Sequence, residues 1–301
     1  MDHLLPQSPD PLVLVLGGVS FNSVVYLRKP PRPQPHTILG AQFREGTGST
    51  GAGKALALAK LRVRHHLLAA VGKDSHGEQV PADLRGQGVS VEPIWDLAGT
   101  ERHINLLDED GRRISIFIHC ASTTVACDRA LLRARLEAAD VVVLNIGAYC
   151  QAWIDDVRAA GKHVWVDLHD YDGRNPYHEP FIEIATHIQF SAEATANPES
   201  LMSRFIVQGK TVALCTDGKS GASLMTADGL RLQQAALPSI HVIDSDGAGD
   251  AFFVGYLYGW LTKQPPQTCL QMATTCGGYT VTERGLVYQD LSRVWLQQRV
   301  A

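Results

Sequence analysis

The stretch Val242-Ile243-Asp244-Ser245-Asp246-Gly247-Ala248-Gly249-Asp250-Ala251-Phe252-Phe253-Val254-Gly255 decides how the rest of the chain is read. Three acids and two glycines lead into a segment, Ala251 to Leu261, that is apolar on nearly every side. A helix that is apolar all round is a buried one. Its first N–H groups have no acceptor within the helix, and the aligned peptide dipoles make that end positive. Gly247 and Gly249 leave the N–H groups of residues 247 to 250 unobstructed. Such a corner holds phosphate oxygens without a basic side chain. Asp250 falls in the first turn of the helix. Asp246 is already placed to cap it, which leaves Asp250 for chemistry. A carboxylate beside phosphate-binding amides suits phosphoryl transfer, because a hydroxyl nucleophile must lose its proton.

Working outward, the chain alternates between strands and helices. Leu12-Val13-Leu14-Val15-Leu16 ahead of Gly17-Gly18 reads as a buried parallel strand ending in a tight turn. Helices are expected over Ala52 to Arg64, Ser75 to Gly86, Asp128 to Ala138, Trp153 to Ala160, Ala192 to Val207, Ala251 to Leu261 and Thr268 to Thr282. Strands are expected over His66 to Val71, Val141 to Ile146, Val164 to Asp167 and Thr211 to Cys215. This alternation predicts an α/β fold, a doubly wound, mostly parallel sheet flanked by helices. Two segments interrupt it. Ser23 to Leu27 and Thr37 to Phe43 flank the proline patch Lys29 to Pro35, which is neither helix nor central strand. Ile104 to Leu107 and Ile114 to His119 flank an Asp110-Gly111 turn, a hairpin signal. Together they predict a small β-sheet lid, over approximately residues 21–45 and 100–120, within a single domain spanning 1–301.

Composition narrows the partners. The chain has 301 residues, with 27 Lys plus Arg against 31 Asp plus Glu, a formal charge of −4. A mildly acidic chain has no bulk attraction for nucleic acid or an anionic membrane, so neither is expected as a partner. Any phosphate must be held by a local site. Hydrophobic residues are 45% and charged residues 19%, the balance of an ordinary globular protein. Six cysteines show no Cys-x-x-Cys spacing and are expected to be reduced core thiols. The start, Met1 to Pro6, lacks a signal-peptide pattern, and no apolar run reaches membrane length. A soluble, cytoplasmic protein is expected.

Two further glycine segments stand where phosphate could bind. Gly46-Thr47-Gly48-Ser49-Thr50-Gly51-Ala52-Gly53-Lys54-Ala55 contains the start of a P-loop, but Ala55 stands where a Ser or Thr hydroxyl is needed. It also contains G-x-G-x-x-G, without a buried strand ahead of it. Thr216-Asp217-Gly218-Lys219-Ser220-Gly221 follows a strand. It reads equally as a hairpin turn or as a nucleotide loop at a strand's C-terminal end.

The segment Asp244 to Phe252 resembles the C-terminal signature of the ribokinase-like (PfkB) carbohydrate and nucleoside kinases. Gly48 to Ala59 resembles the family's N-terminal glycine signature, Val71 to Gly77 its Gly-x-Asp-x-x-Gly segment, and Thr216 to Gly221 its nucleotide loop. The resemblance implies ATP-dependent transfer of the γ-phosphoryl group to a hydroxymethyl group of a sugar or nucleoside, with Mg²⁺. It implies Asp250 as base and Gly247, Ala248 and Gly249 as anion hole. Thr216, Gly218, Gly221 and Glu193 fall at the nucleotide, and Asn22, Gly48, Ser49, Thr50 and Gly51 at the substrate. Asp244 and the carbonyl of Asp246 resemble ligands of a monovalent cation such as K⁺. Three departures stand out. Asn22 replaces an Asp that binds sugar hydroxyls. Gly53 replaces an Asn. Phe190 or Ser191 stands where Asn-x-x-Glu would begin, three residues ahead of Glu193 or nearly so. These departures motivate an alternative, a catalytically weak sugar- or nucleoside-binding regulatory protein on the same fold. His103, Asn105 and Phe117 on the hairpin could face the pocket or away from it. The lid's exposed face is able to pair with a second copy, which makes a homodimer through the lid a partner to test.

Overall fold

The computed structural model describes residues 10–300 apart from Asp110 and Arg112; the expected signal-free start at Met1 to Pro6 and the Asp of the Asp110-Gly111 turn lie outside the described residues. In chain order, β1 (Leu12–Leu16), β2 (Ser20–Leu27) and β3 (Gln42–Gly48) precede α1 (Thr50–Lys60), β4 (Arg64–Gly72), α2 (Ser75–Gly86) and β5 (Val91–Asp96). The hairpin β6 (Arg102–Asp108) and β7 (Arg113–His119) follows. Then come α3 (Arg129–Ala138), β8 (Val141–Leu144), α4 (Ile154–Ala160), β9 (His163–Asp167), α5 (Glu179–Ile184), β10 (His187–Ser191), α6 (Pro198–Val207) and β11 (Val212–Asp217). The chain closes with β12 (Gly221–Thr226), β13 (Arg231–Gln234), α7 (Ala248–Leu261), α8 (Pro266–Thr280) and α9 (Arg293–Val300).

Nine strands form one sheet in the order β13-β12-β11-β10-β9-β8-β1-β4-β5, parallel from β5 through β11. The β11-β12 and β12-β13 pairs are antiparallel. Strand order reverses at β1, which has β4 on one side and β8 on the other. Ligands of open parallel sheets bind beyond the strands' C-terminal ends at such a reversal. Each face of the sheet has its own core. One gathers Val13, Leu67 and Val143 with Leu58, Phe253, Leu257 and Leu270. The other gathers Leu14, Val142 and Val166 with Leu132, Trp153, Phe181 and Phe205. The all-round apolarity of α7 is explained directly: Ala251 to Leu261 are all buried.

The second sheet has four strands, β3-β2-β6-β7, and joins both segments expected to form it. One strand sits differently from its expectation. The chain stays irregular beyond the proline patch, and β3 is Gln42–Gly48 rather than Thr37 to Phe43. Its polarity follows from its position at the exposed edge of the small sheet. The helix expected from Ala192 is also broken. A single 3₁₀ turn covers Ala192–Ala194, and α6 begins at Pro198, where Asn197 caps Ser200 N–H. Cys150, Cys215, Cys269 and Cys276 are buried free thiols, whereas Cys120 is exposed and Cys127 half-buried. Among the described residues, no helix is long and apolar enough to cross a membrane.

Candidate active site

The start of α1 lies against the turn after β1. Ala52 N–H donates to Gly18 O at 2.9 Å, and a Cβ on Gly51 would collide with Gly17 O. The glycines of this stretch therefore serve close packing. Gly48 lies against the Asn22 amide, and a Cβ on Gly53 would stand 2.7 Å from Asp250 Oδ2. Neither decoy pattern describes this segment, because the strand ahead of it belongs to the small sheet. Ser49, just before α1, has φ of 77°.

Three elements distant in sequence meet at Asp250, in the first turn of α7. Thr50 hydroxyl donates to Asp250 Oδ1 at 2.5 Å. Lys54, one turn along α1, donates from Nζ to the same oxygen at 2.6 Å and to Asp167 Oδ2, at the end of β9, at 3.2 Å. It also donates to the Thr50 hydroxyl. Lys54 is fully buried. Burial works against its charge, but Asp250 and then Asp167 outweigh it and hold the ammonium above its ordinary range. Burial would likewise raise Asp167; His169 and Lys54 overcome it and hold that carboxyl below its ordinary value. Gln189, on β10, donates to Asp167 Oδ2 at 3.3 Å and to Gly249 O at 3.0 Å, tying the start of α7 to the sheet. With Oδ1 doubly engaged, Asp250 Oδ2 faces the space over Gly53. The departure at position 53 thus has a steric sense: a larger residue would press on the Asp250 carboxylate.

Gly247 takes φ of 77° at the head of α7, with Leu286 O where a Cβ would go. Ala248 N–H makes only a long 3.4 Å contact with Ser245 O. Among the described residues, no acceptor engages the N–H groups of Gly249 and Asp250, and a Cβ on Gly249 would meet nothing within 4 Å. This is the bare helix start that the sequence implied.

At the strands' C-terminal edge, Thr216 is the penultimate residue of β11 and Gly218 opens a 3₁₀ turn that leads into β12. The segment is therefore a hairpin, with Asp217 opposite Gly221, and it lies at the C-terminal edge of the parallel strands. Gly221, at φ of 102°, has Gln234 O in its Cβ position. Glu193 is exposed in the turn after β10, an available carboxylate at the same edge. On the small sheet, Asn22, His103 and Asn105 share the buried face, and Asn105 Oδ1 has no hydrogen-bond partner among the described residues. Asn22 Oδ1 accepts from the Ser20 hydroxyl at 2.7 Å. Phe117 pairs with His103 but stays exposed. Trp165 and Tyr171 are core residues.

Asp244 and Asp246 are not free oxygen ligands. Asp244 Oδ1 accepts from Asp246 N–H at 2.9 Å, and Oδ2 accepts from Tyr26 OH at 2.8 Å. Arg44 Nη2 lies 3.4 Å from Asp244 Oδ2 and 3.5 Å from Asp246 Oδ2. Arg113 Nη1 lies 3.1 Å from Asp246 Oδ1. Both carboxylates are thus already matched by guanidinium groups, and the Asp244 carboxylate expected to hold a monovalent cation is engaged by the chain's own Tyr26 and Arg44. Burial pushes the Asp246 carboxyl up, with Arg113 opposing.

The sequence reading missed Lys54 and Asp167. The Gly-Lys of the P-loop-like pattern and an acid ending a strand were the available signals; only the fold brings them to Asp250.

A doubly wound sheet, a small second sheet and a bare helix start with a carboxylate beside it define a phosphotransferase of the carbohydrate-kinase class. The family model for pfkB family carbohydrate kinases matches residues 11–292, and the chain belongs to that family. It is 32% identical over 276 residues to an acarbose 7(IV)-phosphotransferase of Actinoplanes sp., covering 90% of this chain and 92% of that protein. It is 23% identical to a ribokinase of Bacillus subtilis, covering 91% and 94%. A microbiome-derived acarbose kinase superposes with a TM-score of 0.86 at 24% identity, covering 97% of this chain and 99% of that one.

Proposed function

We propose that the protein is a single ribokinase-like unit that transfers the γ-phosphoryl group of ATP to a hydroxymethyl group of a sugar or nucleoside. The observation that carries this reading is the pairing of uncapped N–H groups at Gly249 and Asp250 with a carboxylate whose Oδ1 is fixed and whose Oδ2 is open. The substrate hydroxyl sits between Asp250 Oδ2 and the γ-phosphorus, and Asp250 accepts its proton as the phosphoryl group passes across. Charge spreads over the phosphoryl oxygens in that transition state, so the N–H groups at 247 to 250 supply the larger share of stabilisation. The Thr216–Gly221 hairpin borders the nucleotide, with Thr216, Gly218 and Gly221 shaping it. The exposed Glu193 carboxylate fits a Mg²⁺ arriving on the triphosphate, an ion that takes one or two carboxylates plus phosphates. When bound, that ion neutralises phosphate charge.

The small sheet acts as the lid. Its buried polar face (Asn22, His103 and Asn105) meets the sugar together with Gly48, Ser49, Thr50 and Gly51. Its outer face exposes Phe43, Ile114, Ile116 and Ile118, which suits a homodimer through the lid. A cytoplasmic location follows from an ATP-dependent reaction.

The test is a panel of sugars, nucleosides and acarbose, the last suggested by the similar phosphotransferase, assayed for ATP consumption. Asp250→Asn is expected to lower kcat by at least ~10²-fold while ATP still binds. Near-normal turnover in that variant refutes the assignment of the base. Binding without turnover across the panel favours the regulatory reading instead.

A further inference from the structure

The small sheet does more than cover the site, because it places two cations on the loop that precedes the bare helix start. Tyr26 comes from β2, Arg44 from β3 and Arg113 from β7, and all three reach Asp244 or Asp246. Ser245 hydroxyl adds a 3.2 Å bond to Gly111 O in the β6-β7 turn. Two carboxylates meet two guanidinium groups, so the loop's charge is balanced by the protein itself. Arg44, at 3.4 and 3.5 Å, stands between the acids as a shared charge rather than as a close clamp on either. It is held in turn by Nε–H donation to Tyr26 OH at 3.0 Å. Arg284 packs its guanidinium over the Tyr26 ring at 4.1 Å from the other side.

We propose that Arg44 is a positioning residue that serves as the resident cation of the 244–246 loop, taking the place of a monovalent metal ion and making the alignment of residues 247–250 depend on the lid. The continuity of the chain supports this. β3 carries Arg44 and runs directly into α1, which carries Thr50 and Lys54. One continuous segment thus grips α7 twice, through Asp244 and Asp246 ahead of its start and through Asp250 within its first turn. A guanidinium keeps its charge at any working pH and is weakly hydrated, so it tolerates this half-buried position. A K⁺ ion added to the same acids would have to displace Tyr26 and Arg44.

The inference rests on the kinase reading for its kinetic arm but not for its binding arm. In the kinetic arm, turnover of a sugar from the panel is measured at about 100 mM KCl or choline chloride, equal in ionic strength. Wild-type rates are expected to agree within about twofold. Arg44→Ala is expected to lose at least ~10-fold in kcat and to regain several-fold with K⁺ or guanidinium, as a site that has lost its charge would. In the binding arm, thermal unfolding in the same salts needs no substrate. Wild type is expected to be indifferent to K⁺, whereas Arg44→Ala is stabilised by it. Arg44→Gln, which keeps the stem, serves if the alanine variant does not fold. A wild type strongly activated or stabilised by K⁺ overturns the proposal. So does a folded variant that is unimpaired, or one impaired but unmoved by either cation. Failure of the whole panel with the unfolding pattern intact would count against the kinase reading alone.

Discussion

Replacing Lys54 by Met tests whether the ammonium is what permits two carboxylates to share a dry pocket. The methionine nearly fills the volume, so lost packing is small. What disappears is a cation with no solvent exposure, 2.6 Å from Asp250 and 3.2 Å from Asp167. Removing one partner of a buried ion pair typically costs about 3–5 kcal/mol, because the remaining charge is left uncompensated. Here two are left, so the upper half of that range is expected. That is about a quarter or more of a typical folding free energy of about 5–15 kcal/mol. The pH dependence separates this cause from a packing defect. In wild type the Asp167 carboxyl lies below its ordinary value, so its contribution is present above about pH 3.8 and fades as pH falls through the lowered folded value. Without Lys54, part of what holds the carboxyl down is lost while His169 still acts, so the folded value moves up from its wild-type position. The penalty is then full at neutral pH and shrinks as the carboxyl takes up its proton toward pH ~4. Urea unfolding of both proteins at pH 7.5 and about pH 4 measures this directly, and Lys54→Met with Asp167→Asn should recover part of the loss. A penalty of the same size at both pH values, or none at pH 7.5, refutes the reasoning.

Gly53→Ala should lower kcat by at least ~10-fold and give none of the usual Gly-to-Ala helix gain of about 0.5–1 kcal/mol, since its Cβ would lie 2.7 Å from Asp250 Oδ2. A raised Tm with normal kcat contradicts this. His187 stacks on Trp165 at 4.1 Å and is buried, which pushes its pKa well down. It is neutral when folded, so stability falls as pH drops below about 6.5, by up to about 1.4 kcal/mol per pH unit. His187→Phe should flatten the loss of Tm between pH 6.5 and 5, and an unchanged slope counts against the assignment.

Much of the site was legible because its signals are local. The bare start of α7 follows from Gly247, Gly249 and an apolar run within one short stretch. α2 ran over its expected residues because Asp74 caps Gly77 N–H and the chain turns at Gly86 and Gly88. The break between residues 194 and 198 is written in Asn197-Pro198, a cap followed by a first-turn proline. β3 was misplaced because an edge strand of a thin sheet lacks the apolar alternation that marks a half-buried one.

By itself, then, the chain determined its class, the order of its elements and the bare helix corner at Gly247 to Asp250, since each depends on neighbours within a turn or two. Which charges face one another was settled only by folding. Lys54 lies 196 residues from Asp250 and 113 from Asp167, and Arg44 lies 200 from Asp244. No spacing rule encodes those pairs, because they arise where separate strands end on a common edge and the small sheet meets it. The low dielectric of that edge is what makes the pairs obligatory: a charge there is tolerated only beside its opposite.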